Sequence, residues 1–191
     1  MKLPTFLACL LLAFAGSLAA APAKAPPLPA DSVYQLPLRL TDQHGKSWDW
    51  GRKRGQPQLV SMFYSSCQYI CPLIMESGKA VERALTPAQR ARLGVMMISM
   101  DPARDTPATL ARMAKQRHID GKRWSLASPE ADAVRSVAGV LDVRYRQLSD
   151  GEFNHTSVLI LLDADGRMLA RTEKIGSNVD PAFIAKVKAA L

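Results

Sequence analysis

Five short apolar runs along the chain are bounded by glycine or aspartate. They occupy residues 58–64, 95–100, 124–127, 158–162 and 168–174. Several of them lack polar alternation, which is typical of strands that are buried on both faces of a sheet. The pattern therefore predicts five strands.

Helix starts are indicated between these runs by pairs of a capping residue and proline. The pairs are Thr86-Pro87, Thr106-Pro107, Ser128-Pro129 and Asp180-Pro181. The side-chain oxygen of the first residue can accept a hydrogen bond from a free N–H group, and proline at the first helical position sacrifices no donor. Cys71-Pro72 predicts a fifth helix start of related kind.

Two turns complete the predicted order of elements. Residues 163–166, Asp-Ala-Asp-Gly, predict a closing hairpin between the last two strands, and residues 36–46 predict a small N-terminal hairpin. Strands that alternate with helices favour a central, mostly parallel sheet with helices on both faces. We therefore predict an α/β domain whose closing hairpin adds antiparallel edge strands.

The N-terminal residues differ in composition from the rest of the chain. Residues 1–23 have a basic start, an apolar middle and small residues at the end, which predicts a secretory signal peptide. The apolar stretch also has the length of about 20 residues needed to remain as a membrane anchor. Residues 24–33 predict a Pro/Ala-rich linker, and residues 34–191 a single domain. We expect a periplasmic or otherwise exported protein, anchored in the inner membrane if the segment is not cleaved.

Composition and charge limit the classes of partner. The chain is 48% hydrophobic and 22% charged, as in an ordinary globular protein. Its net charge is +8, but residues 51–55 are the only basic cluster. A nucleic-acid-binding protein would be expected to concentrate its charge in a patch with a matching motif. We expect no nucleic-acid partner and a weak preference for acidic surfaces.

Two of the three cysteines, Cys67 and Cys71, follow the first predicted strand, while Cys9 lies in the predicted signal. On a helix, residues four apart share a face at a rise of about 6 Å, within the Cα separation of roughly 4.4 to 6.8 Å that a disulfide accepts. The start of a helix favours thiolates. The pair predicts a redox disulfide or a soft-metal clamp; a purely structural disulfide closing so short a loop would stabilise little.

A metal site needs further ligands, and two thiolates with one imidazole suit Cu(I), or Cu(II) with an added oxygen or nitrogen. His44 lies in a predicted polar turn and His118 near a helix end, so we interpret neither as a ligand. His155 precedes a buried strand, and the residues alone leave its role open. The methionines lie in apolar runs and are interpreted as core residues: Met62, Met75, Met96, Met97 and Met100.

Three separated segments together resemble the Sco/SenC family: residues 63–72, residues 99–107, and residues 155–157 with the strand and turn that follow. The resemblance implies a thioredoxin-like fold that binds one copper ion through two cysteines and a distal histidine. It also implies a role in assembling the binuclear copper centre of cytochrome c oxidase, as a metallochaperone or as a thiol–disulfide reductant.

Carried over by position, the resemblance makes Cys67, Cys71 and His155 the expected copper ligands and Asp101 a supporting residue near them. Gln68 stands where the family often has proline, which bears on the subgroup and on redox tuning. The expected partners are the copper-containing subunit of the oxidase or another copper acceptor, and a thiol–disulfide redox partner. We expect a monomer.

Two other functions fit the same residues. One is a thiol–disulfide oxidoreductase that cycles Cys67 and Cys71, although such enzymes usually separate the pair by two residues rather than three. The other is a copper sensor or buffer with identical ligands. A peroxiredoxin is disfavoured, because Val60 and Tyr64 stand where its proline and threonine are expected.

Overall fold

The computed structural model describes residues 26–191, so the predicted signal peptide lies outside the described residues. The strands are β1 Arg39–Asp42, β2 Ser47–Asp49, β3 Gln58–Phe63, β4 Gly94–Ser99, β5 Trp124–Pro129, β6 Tyr145–Gln147, β7 Phe153–His155, β8 Leu159–Leu162 and β9 Met168–Thr172. The α-helices are α1 Ile70–Arg83, α2 Pro87–Arg92, α3 Pro107–Gln116, α4 Val134–Val140 and α5 Pro181–Ala189. Short 3₁₀ helices cover Val33–Gln35, Trp50–Lys53 and Ala131–Ala133.

Seven strands form the main sheet in the order β2-β1-β5-β4-β3-β8-β9, and β6 pairs with β7 in a separate hairpin. β3, β4 and β5 run parallel at the centre, while the flanking pairs are antiparallel. Helix α1 packs against β3 and β8, α3 against β5 and β1, and α5 against β9. The predicted α/β class is confirmed, and both predicted hairpins form the edges of the sheet.

The core follows the apolar runs that predicted it. Every residue of β3, β4 and β8 is buried, as expected for strands covered on both faces. Gly78 sets how closely α1 approaches this core, because a Cβ atom there would lie 2.6 Å from the ring of Trp124. The Trp124 indole N–H in turn donates to the buried Glu82 carboxylate at 2.9 Å. These contacts fix the helix that carries Cys71.

Three of the four capping pairs are confirmed. Thr86, Thr106 and Asp180 each accept a hydrogen bond from the first turn of the helix that follows. The prediction for Ser128-Pro129 was wrong, because both residues belong to the end of β5. The Ser128 hydroxyl donates to the Asp105 carbonyl at 2.7 Å instead of capping a helix, and the next 3₁₀ turn begins at Ala131.

The β6–β7 hairpin was missed by the sequence analysis. Its strands have three residues each, and they are half-buried or exposed rather than buried. Such short strands carry too little apolar periodicity to be recognised. The hairpin matters because its register pairs Tyr145 with His155.

Hydrogen bonds join the segment before β1 to the turn between β8 and β9. The Ser32 hydroxyl donates to the Asp165 carbonyl at 2.5 Å, and the Val33 N–H donates to the Gly166 carbonyl at 3.0 Å. Gly166 has φ +82°, and a Cβ atom there would lie 2.6 Å from the ring of Tyr34, so this turn requires glycine. Among residues 26–191, no helix has both the length and the apolar character needed to cross a bilayer.

Candidate metal centre

Cys67 and Cys71 lie together at the start of α1, and both are buried free thiols. A shared helical face requires the turn from Cys67 to Cys71 to be helical, and this condition is not met, because α1 begins at Ile70 and Cys67 lies in the preceding loop. Tyr69, the residue that precedes the helix, provides no side-chain cap. The Cys67 sulfur partly replaces that cap by accepting a hydrogen bond from the Cys71 N–H at 3.4 Å.

This arrangement makes the two thiols unequal. Burial raises the pKa of Cys67, but the N–H groups of Cys71, Tyr69 and Ile70 and the Cys71 thiol outweigh it, so the pKa of Cys67 is lowered overall. The pKa of Cys71 is raised, mainly by burial and also by the charges of Cys67 and Asp105. Thiolates are stabilised by backbone donors at a helix start and destabilised by apolar surroundings. Cys67 therefore ionises before Cys71.

His155 reaches the cysteines from the end of β7. Its Nε2 atom lies 3.9 Å from the Cys71 sulfur, and its Nδ1 atom lies 3.1 Å from the Thr156 carbonyl oxygen. A carbonyl oxygen only accepts, so Nδ1 carries the proton and the lone pair is on Nε2, facing the thiol. Burial lowers the pKa of His155 and favours the neutral ring. Metal-binding histidines commonly show this arrangement, with the second nitrogen held by a carbonyl.

Tyr64 connects the two sides of the site. It follows β3 directly, and its hydroxyl donates to the Glu152 carboxylate at 2.9 Å. Its ring packs edge-on against His155 with centroids 5.8 Å apart, and against Phe153 at 5.1 Å. Glu152 and Phe153 were not singled out by the sequence analysis, because their role depends on the hairpin that it missed.

Asp101 contributes through Arg104. The Arg104 guanidinium donates both to the buried Asp101 carboxylate and to the Gly151 carbonyl in the turn between β6 and β7. Asp101 therefore orients an arginine that holds the hairpin carrying His155. A supporting effect of Asp101 on the ligands stays a prediction.

Asp105, which the sequence analysis did not select, makes the more direct contact with the cysteine loop. Its carboxylate accepts from the Ser65 N–H at 3.2 Å and from the Ser99 hydroxyl at 2.5 Å. Only 1% of its surface is exposed, and burial raises its pKa. Its position in the same sequence segment as Asp101 was the available signal, but a segment alone does not show which carboxylate points inward.

The other residues considered as ligands lie elsewhere. His44 is exposed in the turn between β1 and β2, near Gly121. His118 follows α3 with φ +50°. The methionines are buried in the core, as expected: Met62, Met75, Met96, Met97 and Met100.

The contact between Cys71 and His155 fits two ligands of one soft metal ion. With metal–sulfur and metal–nitrogen bonds of about 2.3 and 2.0 Å, tetrahedral to trigonal angles place the two ligand atoms about 3.5 to 3.7 Å apart. The observed separation is 3.9 Å. Within residues 26–191, however, no three His, Cys, Asp or Glu side chains already have the spacing of a metal site. The candidate ligands are neighbours, but they are not a preassembled set.

The comparison that decides the family is the match of a SCO1/SenC family model to residues 28–191. The chain belongs to the SCO1/SenC family. Membership confirms the resemblance found in the three sequence segments, and it covers the whole domain that contains Cys67, Cys71 and His155.

Individual members of the SCO1/SenC family show the same likeness. An SCO2-like protein of Rickettsia prowazekii is 28% identical over 139 residues, which are 70% of this chain and 66% of that protein, slightly less than two thirds of its length. Copper-bound ScoI of Bradyrhizobium japonicum is 27% identical with a TM-score of 0.68, covering 81% of this chain and 98% of that one. BsSco, a member of the Sco family of cytochrome c oxidase assembly proteins, shares the fold at 21% identity and a TM-score of 0.68, covering 81% of this chain and 91% of that one. These neighbours confirm the predicted thioredoxin-like fold.

Proposed function

We propose that this protein is an exported copper metallochaperone that binds one copper ion through Cys67, Cys71 and His155. The observation that carries the proposal is the His155 ring, whose Nε2 faces the Cys71 sulfur at 3.9 Å while Nδ1 is held by the Thr156 carbonyl. Two thiolates and one imidazole form a soft ligand set suited to Cu(I). The copper-bound ScoI from B. japonicum supports the same cargo.

Loading requires two changes in the cysteines. The Cys67 sulfur, which accepts the Cys71 N–H, must turn toward the ion, because the three side chains do not yet have metal-site spacing. Cys71 must lose its proton, although burial raises its pKa. Copper offsets this cost because metal binding displaces protons from its ligands. His155 needs no such change, since its ring is held with Nε2 unprotonated.

The proposed acceptor is the copper-containing subunit of cytochrome c oxidase, as the family resemblance implies. In the metallochaperone role, the acceptor takes copper from Cys67, Cys71 and His155. In a second role, the two reduced thiols convert an acceptor disulfide to a dithiol and become a Cys67–Cys71 disulfide. Copper and the disulfide exclude each other because both use the same sulfur atoms.

Copper titration tests the ligand set. The full chain carrying Cys9→Ser, reduced and free of metal, should bind one copper ion, and Cys67→Ser or His155→Ala should lower the affinity by at least about tenfold. His44→Ala is the matched control, because His44 is exposed in a turn. Undiminished affinity in the Cys67 and His155 variants would refute the proposal.

The unequal thiols favour one second candidate, a thiol–disulfide oxidoreductase. The Cys67 thiolate would attack a partner disulfide and form a mixed disulfide, and Cys71, once deprotonated, would displace the partner thiolate. The metal-free protein should then reduce a disulfide substrate, and alkylation followed by peptide mapping should label Cys67 before Cys71. Reductase activity that is unchanged in His155→Ala would favour this candidate, whereas copper binding without transfer or reduction would indicate a sensor or buffer.

A further inference from the structure

Three arginines lie around the outer side of the β6–β7 hairpin, which carries His155 at its end. Arg144 directly precedes β6, Arg146 lies on β6, and Arg135 lies on the neighbouring helix α4. All three are exposed. None of them forms an ion pair with another of residues 26–191. Unpaired guanidinium groups that are grouped in this way provide charge that a partner can neutralise.

Two adjoining clefts connect these arginines to the candidate metal centre. One has a volume of about 460 Å³ and is lined by Arg144, Arg146 and His155. The other, about 530 Å³, lies between α4 and β6 and is lined by Arg135, Arg144 and Arg146. Arg144, Tyr145 and Arg146 line both clefts, and we call the two adjoining clefts together the arginine groove.

Two acidic residues beside the arginine groove already pair with an arginine. Glu173 lines the first cleft, but its carboxylate contacts Arg171 at 3.4 Å. Asp142, which lines a neighbouring cleft together with Arg144 and Glu173, also pairs with Arg171. The groove therefore keeps an excess of positive charge, even though single acidic residues lie beside it.

The backbone of β6 adds a second feature. Within the described chain β6 pairs only with β7, in a two-stranded sheet. Its outer edge, which faces the groove, thus offers unpaired backbone groups to an extended segment. The free strand edge can pair with an extended backbone, and the arginines on either side of it can pair with carboxylates. Together they fit a segment that is extended and acidic.

We propose that the arginine groove binds an acidic segment of the partner protein and thereby places the partner's thiols or copper ligands beside His155. The inference rests on the proposed function, since the partner is the acceptor of copper or electrons. Complementary charge beside a reacting site accelerates encounter and fixes orientation, and its effect is screened by salt.

The test uses two double variants with equal changes of charge. Arg144→Glu/Arg146→Glu reverses the charge at two of the three arginines of the groove; we call this protein the reversed groove. Arg112→Glu/Lys115→Glu is the control, because both residues are exposed on α3, which packs against β1 and β5. Arg144→Lys/Arg146→Lys keeps the charge and should rescue most of the effect. Copper stoichiometry is measured first in every protein, and it should remain one ion per chain.

Two readouts then follow. Copper transfer to the soluble domain of the oxidase copper subunit should slow by about tenfold in the reversed groove at low salt and little in the control. Raising the ionic strength from about 0.01 to 0.15 M should remove most of the difference, because the Debye length falls from about 30 to about 8 Å. In parallel, a glutamate-rich synthetic peptide should shift the NMR signals of Arg144 to Arg146 in the wild type, whereas a lysine-rich peptide should not.

The outcomes separate the two proposals. If the wild type did not bind copper, the proposed function would be contradicted. The peptide titration would still test whether the arginine groove binds an acidic segment. Normal transfer in the reversed groove, or peptide shifts located elsewhere, would overturn the docking proposal and leave copper binding intact. Binding to anionic lipid vesicles without binding to the acidic peptide would also overturn it.

Discussion

Cys71 is held by the central sheet, whereas His155 stands on a two-stranded hairpin outside that sheet. The cysteine side combines β3, whose residues are all buried, with a helix fixed against Trp124. The histidine side has three-residue strands that are half-buried or exposed, and side chains such as Tyr64 and Arg104 join it to the rest of the molecule. Regions with few buried apolar contacts open at lower free energy than the core.

This difference in burial indicates that the cysteines and the histidine have different structural roles. A fixed cysteine side keeps two sulfurs close together, as both copper binding and disulfide exchange require. A histidine on a lightly attached hairpin can approach or leave without disturbing the core. Among residues that support the ligands, we therefore expect substitutions on the cysteine side to affect mainly stability, and substitutions on the histidine side to affect mainly copper affinity.

The largest effect is expected from Asp105 on the cysteine side. Asp105→Ala leaves the Ser65 N–H and the Ser99 hydroxyl without their acceptor. Since each buried unsatisfied group costs about 1 to 3 kcal/mol, the loss for the two groups together should lower the free energy of unfolding by about 2 to 6 kcal/mol. Urea unfolding of the reduced, metal-free protein measures this loss.

Two further variants serve as controls for Asp105. Asp105→Asn keeps an oxygen acceptor and should lose less stability than Asp105→Ala. Asp132→Ala changes an exposed carboxylate and should alter stability by no more than about 0.5 kcal/mol. If Asp105→Ala were as stable as Asp132→Ala, the cysteine loop would not depend on the buried carboxylate.

A smaller effect is expected from Tyr64, which attaches the histidine side. Tyr64→Phe keeps the ring contacts with His155 and Phe153 but removes the hydrogen bond to Glu152. We expect copper affinity to fall by about tenfold, as for other residues that orient metal ligands, and stability to fall by only about 1 kcal/mol. Competition with a chelator of known affinity measures the first change.

The control for this prediction is Tyr69→Phe, because Tyr69 is 86% exposed. It should leave copper affinity unchanged. A wild-type affinity in Tyr64→Phe would show that the ring contacts alone position His155, and a large loss of stability would contradict the division between the two sides.

The same contrast explains what could be predicted from the sequence. Buried runs such as residues 58–63 and capped helix starts such as Thr86 carry local signals, so the strands and most helices were found. Ser128-Pro129 carried the same local signal, but the long-range hydrogen bond from Ser128 to Asp105 overrode it. The β6–β7 hairpin has no apolar periodicity of its own, and its place beside the cysteines depends on tertiary contacts.

The candidate site shows this limit most clearly. The cysteine spacing pointed to a shared helical face, but the Cys67 sulfur instead accepts the N–H of Cys71 from the loop before the helix. His155 was selected by resemblance, while the contacts that hold it, from Tyr64 and Arg104, join segments far apart in sequence. Residue types and spacing do not encode such contacts.

The smallest effect is expected from the protonation of His155. Burial lowers the pKa of His155 below its ordinary value of 6.5, so between the lowered pKa and 6.5 the unfolded chain binds more protons than the folded one. The free energy of unfolding of the metal-free protein should therefore fall as the pH drops through this window. Urea unfolding at several pH values from about 7 to 5 measures the slope.

His155→Gln removes this proton uptake and should flatten the profile in the same window, whereas His44→Gln, in an exposed turn, should keep the wild-type slope. An unchanged slope in His155→Gln would mean that the hairpin admits the charged ring without cost. The histidine side would then be more open to water than its packing against Tyr64 implies, and the contrast with the buried cysteines would be sharper than the one described.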